Sequence, residues 1–195
     1  MRTIILTMDV EPDCPPYLKT YRGVESGLPV LLEIMEKYDM KATFFITGDV
    51  ASKYPKEVAD IAKHYEIGCH GYSHTRFDMM TFDEVADEIG RSTGVLRKLA
   101  GRVVSFRAPN LIFPERFLGL LKDNGYLIDS SLAKYKIEHL YRIYIGGKDN
   151  LSNGLFRVPV LSVWRCVLRR MIPPCPLTPA DRILITPVWP VSRPN

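Results

Sequence analysis

The chain has 195 residues, of which 46% are hydrophobic and 25% are charged, and its formal net charge is +4. These proportions are those of an ordinary globular protein and predict a single domain over residues 1–195. Basic and acidic residues are largely interleaved, so the charge pattern does not indicate a nucleic-acid partner. Asp9 interrupts the first apolar run well before the length of an export signal or a transmembrane segment.

Short apolar segments alternate with longer helical patterns along the chain. The predicted strands are residues 3–8, 42–46, 66–69, 103–106, 126–128, 156–160 and, more weakly, 182–186. The predicted helices lie between the first five of these strands, at residues 27–38, 55–65, 81–100 and 114–124. This alternation is typical of βα units around a parallel sheet, so we expect an α/β fold.

Local signals mark the ends of the predicted helices. Pro55 and Pro114 suit a first helical turn, and Thr81 followed by Glu84 has the form of a capping box. Residues 171–195 differ from the rest because they are crowded with proline, which removes backbone donors and disfavours both helices and central strands. We therefore expect an atypical tail.

The four cysteines are scattered, and none of them forms a C-x-x-C pair; they are Cys14, Cys69, Cys166 and Cys175. This spacing fits reduced thiols better than a disulfide framework. Together with the interrupted first apolar run, it predicts a cytoplasmic protein.

Polar side chains follow the ends of four predicted strands: Asp9, His70, Arg107 and Asp129. The carboxyl ends of parallel strands meet at one rim, where the ligands of α/β folds bind. These four side chains are therefore predicted to converge on one site.

The spacing of His70 and His74 indicates metal binding. Two imidazoles four residues apart are able to face one ion from the same side of a helical turn, although paired histidines are also common on solvated helices. Nearby acids, Asp9 and Glu11, lie on the same side of an extended segment, so one can bind metal while the other serves as a base. Two histidines and one carboxylate leave coordination positions open, which is typical of hydrolytic rather than structural zinc.

These motifs resemble those of the polysaccharide deacetylases of the NodB-homology type, carbohydrate esterase family four. The resemblance covers about residues 2–131 and rests on four segments: Thr7-Met8-Asp9-Val10-Glu11, residues 70–74, Phe106-Arg107-Ala108-Pro109-Asn110 and Ile128-Asp129-Ser130-Ser131. It implies a distorted (β/α) barrel, incomplete at its C-terminus.

The resemblance also implies roles for these residues. Glu11, His70 and His74 bind one divalent ion, most simply zinc, with cobalt or nickel as alternatives. The spacer between the two acids of the first motif leaves Asp13 as an alternative to Glu11. Asp9 is then the general base and Arg107 its orienting partner. The backbone N–H of Asn110 stabilises the oxyanion, and Asp129 orients a histidine acid.

The chain departs from the family at the fifth motif, a Leu-x-x-His-like segment that supplies the general acid. After His74 the only histidine is His139, in a polar setting that follows the fifth predicted strand too closely. The missing motif predicts that the reading frame ends early or shifts after about residues 160–170.

The reaction implied by the resemblance is hydrolysis of an N-acyl group, most simply acetyl, from an amino sugar. Alternatives within the family are a formamide of a lipid-linked amino sugar or a cyclic amide. An alternative of a different class is a metal- or sugar-binding protein without turnover.

Overall fold

A computed structural model describes residues 3–15, 17–18, 20–133, 151–152, 155–160 and 184–188. Eight strands in these residues form one sheet: β1 (Thr3–Val10), β2 (Ala42–Ile46), β3 (Glu66–Cys69), β4 (Ser105–Phe106), β5 (Ile128–Ala133), β6 (Leu151–Ser152), β7 (Leu155–Val160) and β8 (Leu184–Val188). The strand order is β6-β7-β5-β4-β3-β2-β1-β8. From β1 to β5 and on to β7 every neighbouring pair is parallel, whereas the edge strands β6 and β8 are antiparallel.

The described helices are α1 (Leu28–Lys37), α2 (Gly48–Lys53), α3 (Pro55–Ala62), α4 (Phe82–Ala100) and α5 (Leu118–Asp123). Gly23–Gly27 adds a π-helical turn before α1, and three short 3₁₀ turns precede or link the later elements. The predicted alternation of strands and helices is confirmed. The helix α2 was missed, because six residues that begin with glycine are too short to display a helical apolar period. None of the described helices is long and apolar enough to cross a membrane.

The core lies between the sheet and its helices. Phe44, Phe45 and Ile46 follow one another in β2 and are all at most 2% exposed. Consecutive residues of a strand are all buried only when both faces of the sheet are covered. Helices cover the outer face of this sheet, and its curvature shields the inner, concave face. On the helix side of the core, Met35 of α1 and Ile89 of α4 are both fully buried.

The fifth strand begins later than predicted. Residues 126–128 were expected to form it, but β5 runs from Ile128 to Ala133. Tyr126 instead closes the exit of α5, where its N–H donates to Leu121 O after Gly125 reverses the chain at φ +75°. The apolar character of Tyr126 thus reflects burial beneath a helix end rather than strand pairing.

The strand β8 lies within the proline-crowded tail, two residues later than its weak prediction at 182–186. Among the described strands it pairs with β1, with Pro187 opposite Ile4. An edge strand needs hydrogen-bond partners on one side only, so it tolerates a residue without an N–H.

The predicted capping box at the start of α4 is present. Thr81 Oγ1 accepts the Glu84 N–H at 3.4 Å, and Glu84 Oε2 accepts the Thr81 N–H at 2.7 Å. We expect Thr81→Ala to lower the free energy of unfolding by about 1 kcal/mol, measured by urea denaturation. Glu84→Gln keeps an acceptor for the Thr81 N–H and serves as the control. Equal stability of Thr81→Ala and wild type would show that the cap contributes nothing.

Two of the four cysteines lie in described residues. Cys69 is a buried free thiol, whereas Cys14 is disulfide-bonded. The expectation of reduced thiols therefore holds for Cys69 and is wrong for Cys14, because sequence spacing does not show which segments the fold brings together. Cys166 and Cys175 lie outside the described residues, and the cytoplasmic location stays a prediction.

Candidate metal site

His70 and His74 lie in a loop, not on a helix as the spacing had suggested. This segment, residues 70–74, is called the histidine loop below; it follows β3 directly. Gly71 and His74 adopt positive φ angles of 73° and 61°. The two left-handed residues fold the loop back on itself and bring the imidazole centroids to 5.2 Å. The pair therefore meets through loop geometry rather than through helical periodicity.

Glu11 stands between the two imidazoles. Its Oε2 atom lies 3.1 Å from His70 Nε2 and 2.6 Å from His74 Nε2. One ligand atom from each of Glu11, His70 and His74 falls within 4.8 Å of the others. Two imidazole nitrogens and one carboxylate oxygen are a donor set that suits a catalytic zinc site.

The orientation of the imidazoles supports this fit. His70 Nδ1 lies 2.7 Å from Arg107 O, so Nδ1–H donates to this carbonyl and Nε2 is left toward Glu11. His74 Nε2 is buried and has no hydrogen-bond partner among the described residues. A buried nitrogen without a hydrogen bond, beside a carboxylate, is what a cation would satisfy.

The carboxylates dominate the electrostatics of His70. Burial by itself lowers the pKa of this imidazole, but the charges of Asp9 and Glu11 and the hydrogen bonds to Glu11 and Arg107 outweigh it and raise the pKa above its usual value. The field that attracts a proton to His70 attracts a divalent cation to the same place.

Arg107 fixes Asp9 next to this cluster. Arg107 is fully buried, and its Nη1 donates to Asp9 Oδ1 at 2.7 Å. Its Nη2 donates to Thr7 Oγ1 at 3.1 Å and to Ser130 Oγ at 2.8 Å, and the guanidinium carbon lies 4.0 Å from the Phe45 ring centroid. Arg107 is thus held on several sides and aims one N–H at Asp9.

Asp9 lies inside β1 rather than beyond its end, because β1 continues to Val10. Its Oδ2 atom is 3.9 Å from His70 Nε2. Asp9 and Glu11 therefore face the same imidazole, as strand alternation predicted.

Asp13 is occupied elsewhere. Its carboxylate accepts hydrogen bonds from Thr20 Oγ1 at 2.8 Å, from Arg22 N at 2.7 Å and from Gly23 N at 3.0 Å. These bonds close the loop after β1 and stabilise the start of the π-helical turn. The structure thus brings Glu11, not Asp13, to the histidines.

Asp129 and Asn110 flank the same rim. Asp129 is the second residue of β5, not a residue past the strand end, but it pairs in register with Phe106, which immediately precedes Arg107. It is fully buried, and its Oδ1 accepts the Ser131 N–H at 2.9 Å. Its expected role in orienting a histidine acid stays a prediction, and His139, which the sequence does not favour as that acid, lies outside the described residues.

Asn110 is exposed and has a φ of 58°. The preceding segment is held by Ala108 N–H, which donates to Ser131 Oγ at 2.9 Å. A non-glycine residue in the left-handed region is strained, and such strain is common where a backbone group is aimed at a ligand. The role of its backbone N–H stays a prediction.

Sequence reasoning missed a buried carboxylate that contacts the histidine loop. Glu88 is 9% exposed, and its Oε2 atom accepts the N–H groups of Tyr72 and Ser73, each at 2.9 Å. The available signal was its position: Glu88 falls between Val85 and Ile89 on the apolar stripe of α4, where an acid is costly unless it is satisfied.

The polysaccharide deacetylase family model matches residues 1–128 of the chain. A peptidoglycan-N-acetylglucosamine deacetylase from Bacillus cereus is 35% identical over 82 residues, which are 42% of this chain and 30% of that protein. The chain spans less than half the length of this and two other curated relatives.

Solved structures share the fold of this chain. A Mycobacterium smegmatis protein assigned as a polysaccharide deacetylase superposes with a TM-score of 0.66 at 23% identity, over 91% of this chain and 65% of that one. A CE4 family pseudoenzyme from Bacillus anthracis superposes with a TM-score of 0.54 at 26% identity, over 63% of this chain and 40% of that one. The predicted fold, an incomplete and distorted NodB-like barrel, is confirmed, since the described strands form a curled open sheet. The chain belongs to the polysaccharide deacetylase family.

Proposed function

We propose that the protein is a metal-dependent hydrolase that removes an N-acetyl group from an amino sugar of a polysaccharide. The observation that carries this proposal is the convergence of Glu11, His70 and His74 beside the Asp9–Arg107 ion pair. Family membership supports the reaction class, and the name of the Bacillus cereus relative suggests peptidoglycan as the polysaccharide.

Glu11 Oε2, His70 Nε2 and His74 Nε2 are the atoms that would hold the ion. We propose zinc, while cobalt and nickel accept the same nitrogen and oxygen donors. A divalent ion bound there supplies polarisation of the acyl carbonyl and acidifies water. The His70 Nδ1–H bond to Arg107 O holds the ring so that Nε2 keeps its lone pair toward the ion.

Asp9 is the proposed general base. Its carboxylate is 11% exposed, so it is shielded but reachable, and the Arg107 N–H fixes its Oδ1. A carboxylate held next to a bound water is a suitable general base, and the Arg107 N–H keeps this one in place. Asp9 Oδ2, on the side of His70, is the atom proposed to receive this proton.

Asn110 and Asp129 have supporting roles in this proposal. The backbone N–H of Asn110 would donate to the oxyanion that forms when water adds to the acyl carbonyl. Asp129 would orient a histidine that protonates the departing amine.

The experiment is acetate release from N-acetylglucosamine oligomers by the zinc-loaded full chain. We expect release to depend on zinc and to be lost in Asp9→Asn. A formylated amino sugar and a cyclic amide, tested in parallel, distinguish deacetylation from the two other C–N hydrolyses. Stoichiometric zinc binding without release from any substrate would contradict the enzyme proposal.

A binding protein without turnover is the second candidate. The observation that favours it is the structural likeness to a CE4 family pseudoenzyme at 26% identity. It predicts the negative outcome of the same assay, with retained affinity for zinc and for the oligomer.

Glu11 and Asp13 form a matched pair for testing the acidic ligand. We expect Glu11→Ala to lower zinc affinity by about 3 kcal/mol, roughly a hundredfold, measured by competition with a chelator. Asp13→Ala removes a carboxylate only two residues away and is expected to leave zinc affinity unchanged, because its oxygens bind Thr20, Arg22 and Gly23. The reverse result would assign the ligand to Asp13.

A further inference from the structure

The histidine loop has no regular secondary structure that would hold its own shape. His74, which carries one proposed ligand atom, has a φ of 61°. A non-glycine residue in this region costs about 1–2 kcal/mol relative to right-handed backbone. Such a conformation persists only when contacts from outside the loop impose it.

One set of outside contacts comes from the start of α2. The N–H groups of Gly48 and Asp49 donate to Gly71 O at 2.9 Å and to Tyr72 O at 3.0 Å. The Tyr72 ring packs so closely on Gly48 that an added Cβ would lie 2.3 Å from its Cδ2 atom. These contacts engage the carbonyls and one side chain of the loop.

The N–H groups of the loop are contacted by Glu88 of α4. Its single Oε2 atom accepts both the Tyr72 N–H and the Ser73 N–H at 2.9 Å. Tyr72 and Ser73 lie between the two histidines, so fixing their amides fixes the path from His70 to His74. The helix that carries Glu88 is nineteen residues long and capped, which makes it a rigid support.

The charge of Glu88 suits this position. A carboxylate that accepts two backbone N–H groups forms charge-assisted bonds, which are stronger than bonds between neutral groups. Burial of this carboxylate on the inner stripe of α4 would be unfavourable without such partners. An apolar residue would pack at least as well against the core, so core packing alone does not account for an acid here.

We propose that Glu88 is a positioning residue for metal binding, which sets the backbone between His70 and His74 so that their Nε2 atoms meet Glu11. This inference rests on the proposed function, since it assigns Glu88 to the same metal site. Glu88 is not one of the three residues whose ligand atoms cluster, and its Oε2 is engaged by the loop amides.

Three variants of the full chain test the proposal. Glu88→Met keeps side-chain length and helix propensity but removes the acceptor, and we expect it to weaken zinc binding by about 10–100-fold. Glu88→Asp retains the charge on a shorter stem and is expected to weaken binding in the same direction. Glu88→Gln keeps an oxygen acceptor at the same reach and is expected to retain most of the affinity.

The matched control is Asp87→Asn. Asp87 precedes Glu88 on α4 but is exposed and paired with Arg91 at 3.3 Å, and the guanidinium of Arg91 lies 4.0 Å from the Tyr72 ring centroid. Asparagine keeps an oxygen acceptor for Arg91, so we expect Asp87→Asn to leave this contact with the histidine loop in place. Affinity is measured by chelator competition, and coordination geometry by the visible spectrum of the cobalt-loaded protein. We expect Glu88→Met to change this spectrum and Asp87→Asn to leave it as in wild type.

A second measurement separates this inference from the proposed function. Amide hydrogen exchange of Tyr72 and Ser73 in metal-free protein should accelerate in Glu88→Met and remain slow in Glu88→Gln. If wild type binds no metal but the exchange result holds, the metal site is wrong and Glu88 only orders the loop. A folded Glu88→Met with wild-type zinc affinity and cobalt spectrum would overturn the proposal, and if that variant does not fold, the same result for Glu88→Asp would do so.

Discussion

His70→Ala and His74→Ala are each expected to abolish stoichiometric zinc binding. Structural zinc sites with four protein ligands contribute about 10–16 kcal/mol, which is roughly 3 kcal/mol for each ligand, or about a hundredfold in affinity. We expect each imidazole of the three-residue cluster to contribute at least this much. His74 should be at least as sensitive as His70, because its Nε2 lies only 2.6 Å from Glu11 Oε2 and has no hydrogen bond among the described residues. Isothermal titration of metal-free protein with zinc measures the effect.

The chain offers a matched control for these two variants. His64 is an exposed histidine just after α3, beside the Tyr65 ring. His64→Ala should therefore bind zinc with wild-type affinity and stoichiometry. If His70→Ala and His74→Ala both retained one tightly bound zinc ion, the ion would have to bind at another place, and the proposed site would be refuted.

Arg107→Met is expected to destabilise the fold far more than the loss of a helix cap or of an exposed charge. Removing one partner of a buried ion pair typically costs about 3–5 kcal/mol, because the other charge is left without compensation. Arg107 is fully buried and also donates to Thr7 and Ser130, so its loss leaves these hydroxyls without a donor. Chemical denaturation of the metal-free protein measures the change.

Asp9→Asn tests the catalytic role of the Asp9–Arg107 pair with a smaller effect on stability. Its amide oxygen still accepts the Arg107 N–H, so we expect a smaller loss of stability than in Arg107→Met. The neutral amide cannot take a proton from water, and the rate of acetate release should fall by about 10²–10⁴-fold. The rates are compared at saturating zinc, because Asp9 is not a proposed ligand but its charge lies 3.9 Å from His70 Nε2 and contributes to the field at the metal site.

An exposed ion pair provides the comparison for both variants. Arg91 and Asp87 lie 3.3 Å apart with side chains 52% and 62% exposed. Asp87→Asn removes the charge of this pair while Arg91 stays over the Tyr72 ring at 4.0 Å, and it should change stability by less than about 1 kcal/mol, as is usual for solvent-exposed pairs. An equally small effect of Arg107→Met would contradict the structural importance assigned to the buried pair.

Much of the fold was predictable because local patterns report it directly. The predicted bounds of β2 and β3 agree with the structure, and the Thr81 capping box begins α4 as expected. The fifth strand was misplaced, since Tyr126 is buried under the exit of α5 and periodicity does not distinguish this burial from that of a strand residue.

For the candidate site, the spacing of motifs identified the residues but not the geometry that unites them. The His70-to-His74 interval suggested a helix face, whereas the structure has a loop with two positive φ angles. Spacing left Glu11 and Asp13 as alternative ligands. The contacts of Glu11 Oε2 with both imidazoles and the hydrogen bonds of Asp13 to residues 20–23 separate them.

The sequence by itself determined the family, the alternation of the first five strands with helices, and Asp9, His70, Arg107 and Asp129 as the polar residues of interest. These features depend on residues close in the chain, where periodicity, caps and motif spacing act. Only the tertiary structure decided that Glu11 faces both histidines, that Arg107 holds Asp9 and that Glu88 holds the loop. Each of these contacts joins residues that lie more than ten positions apart, so it exists only after the sheet and α4 have packed together.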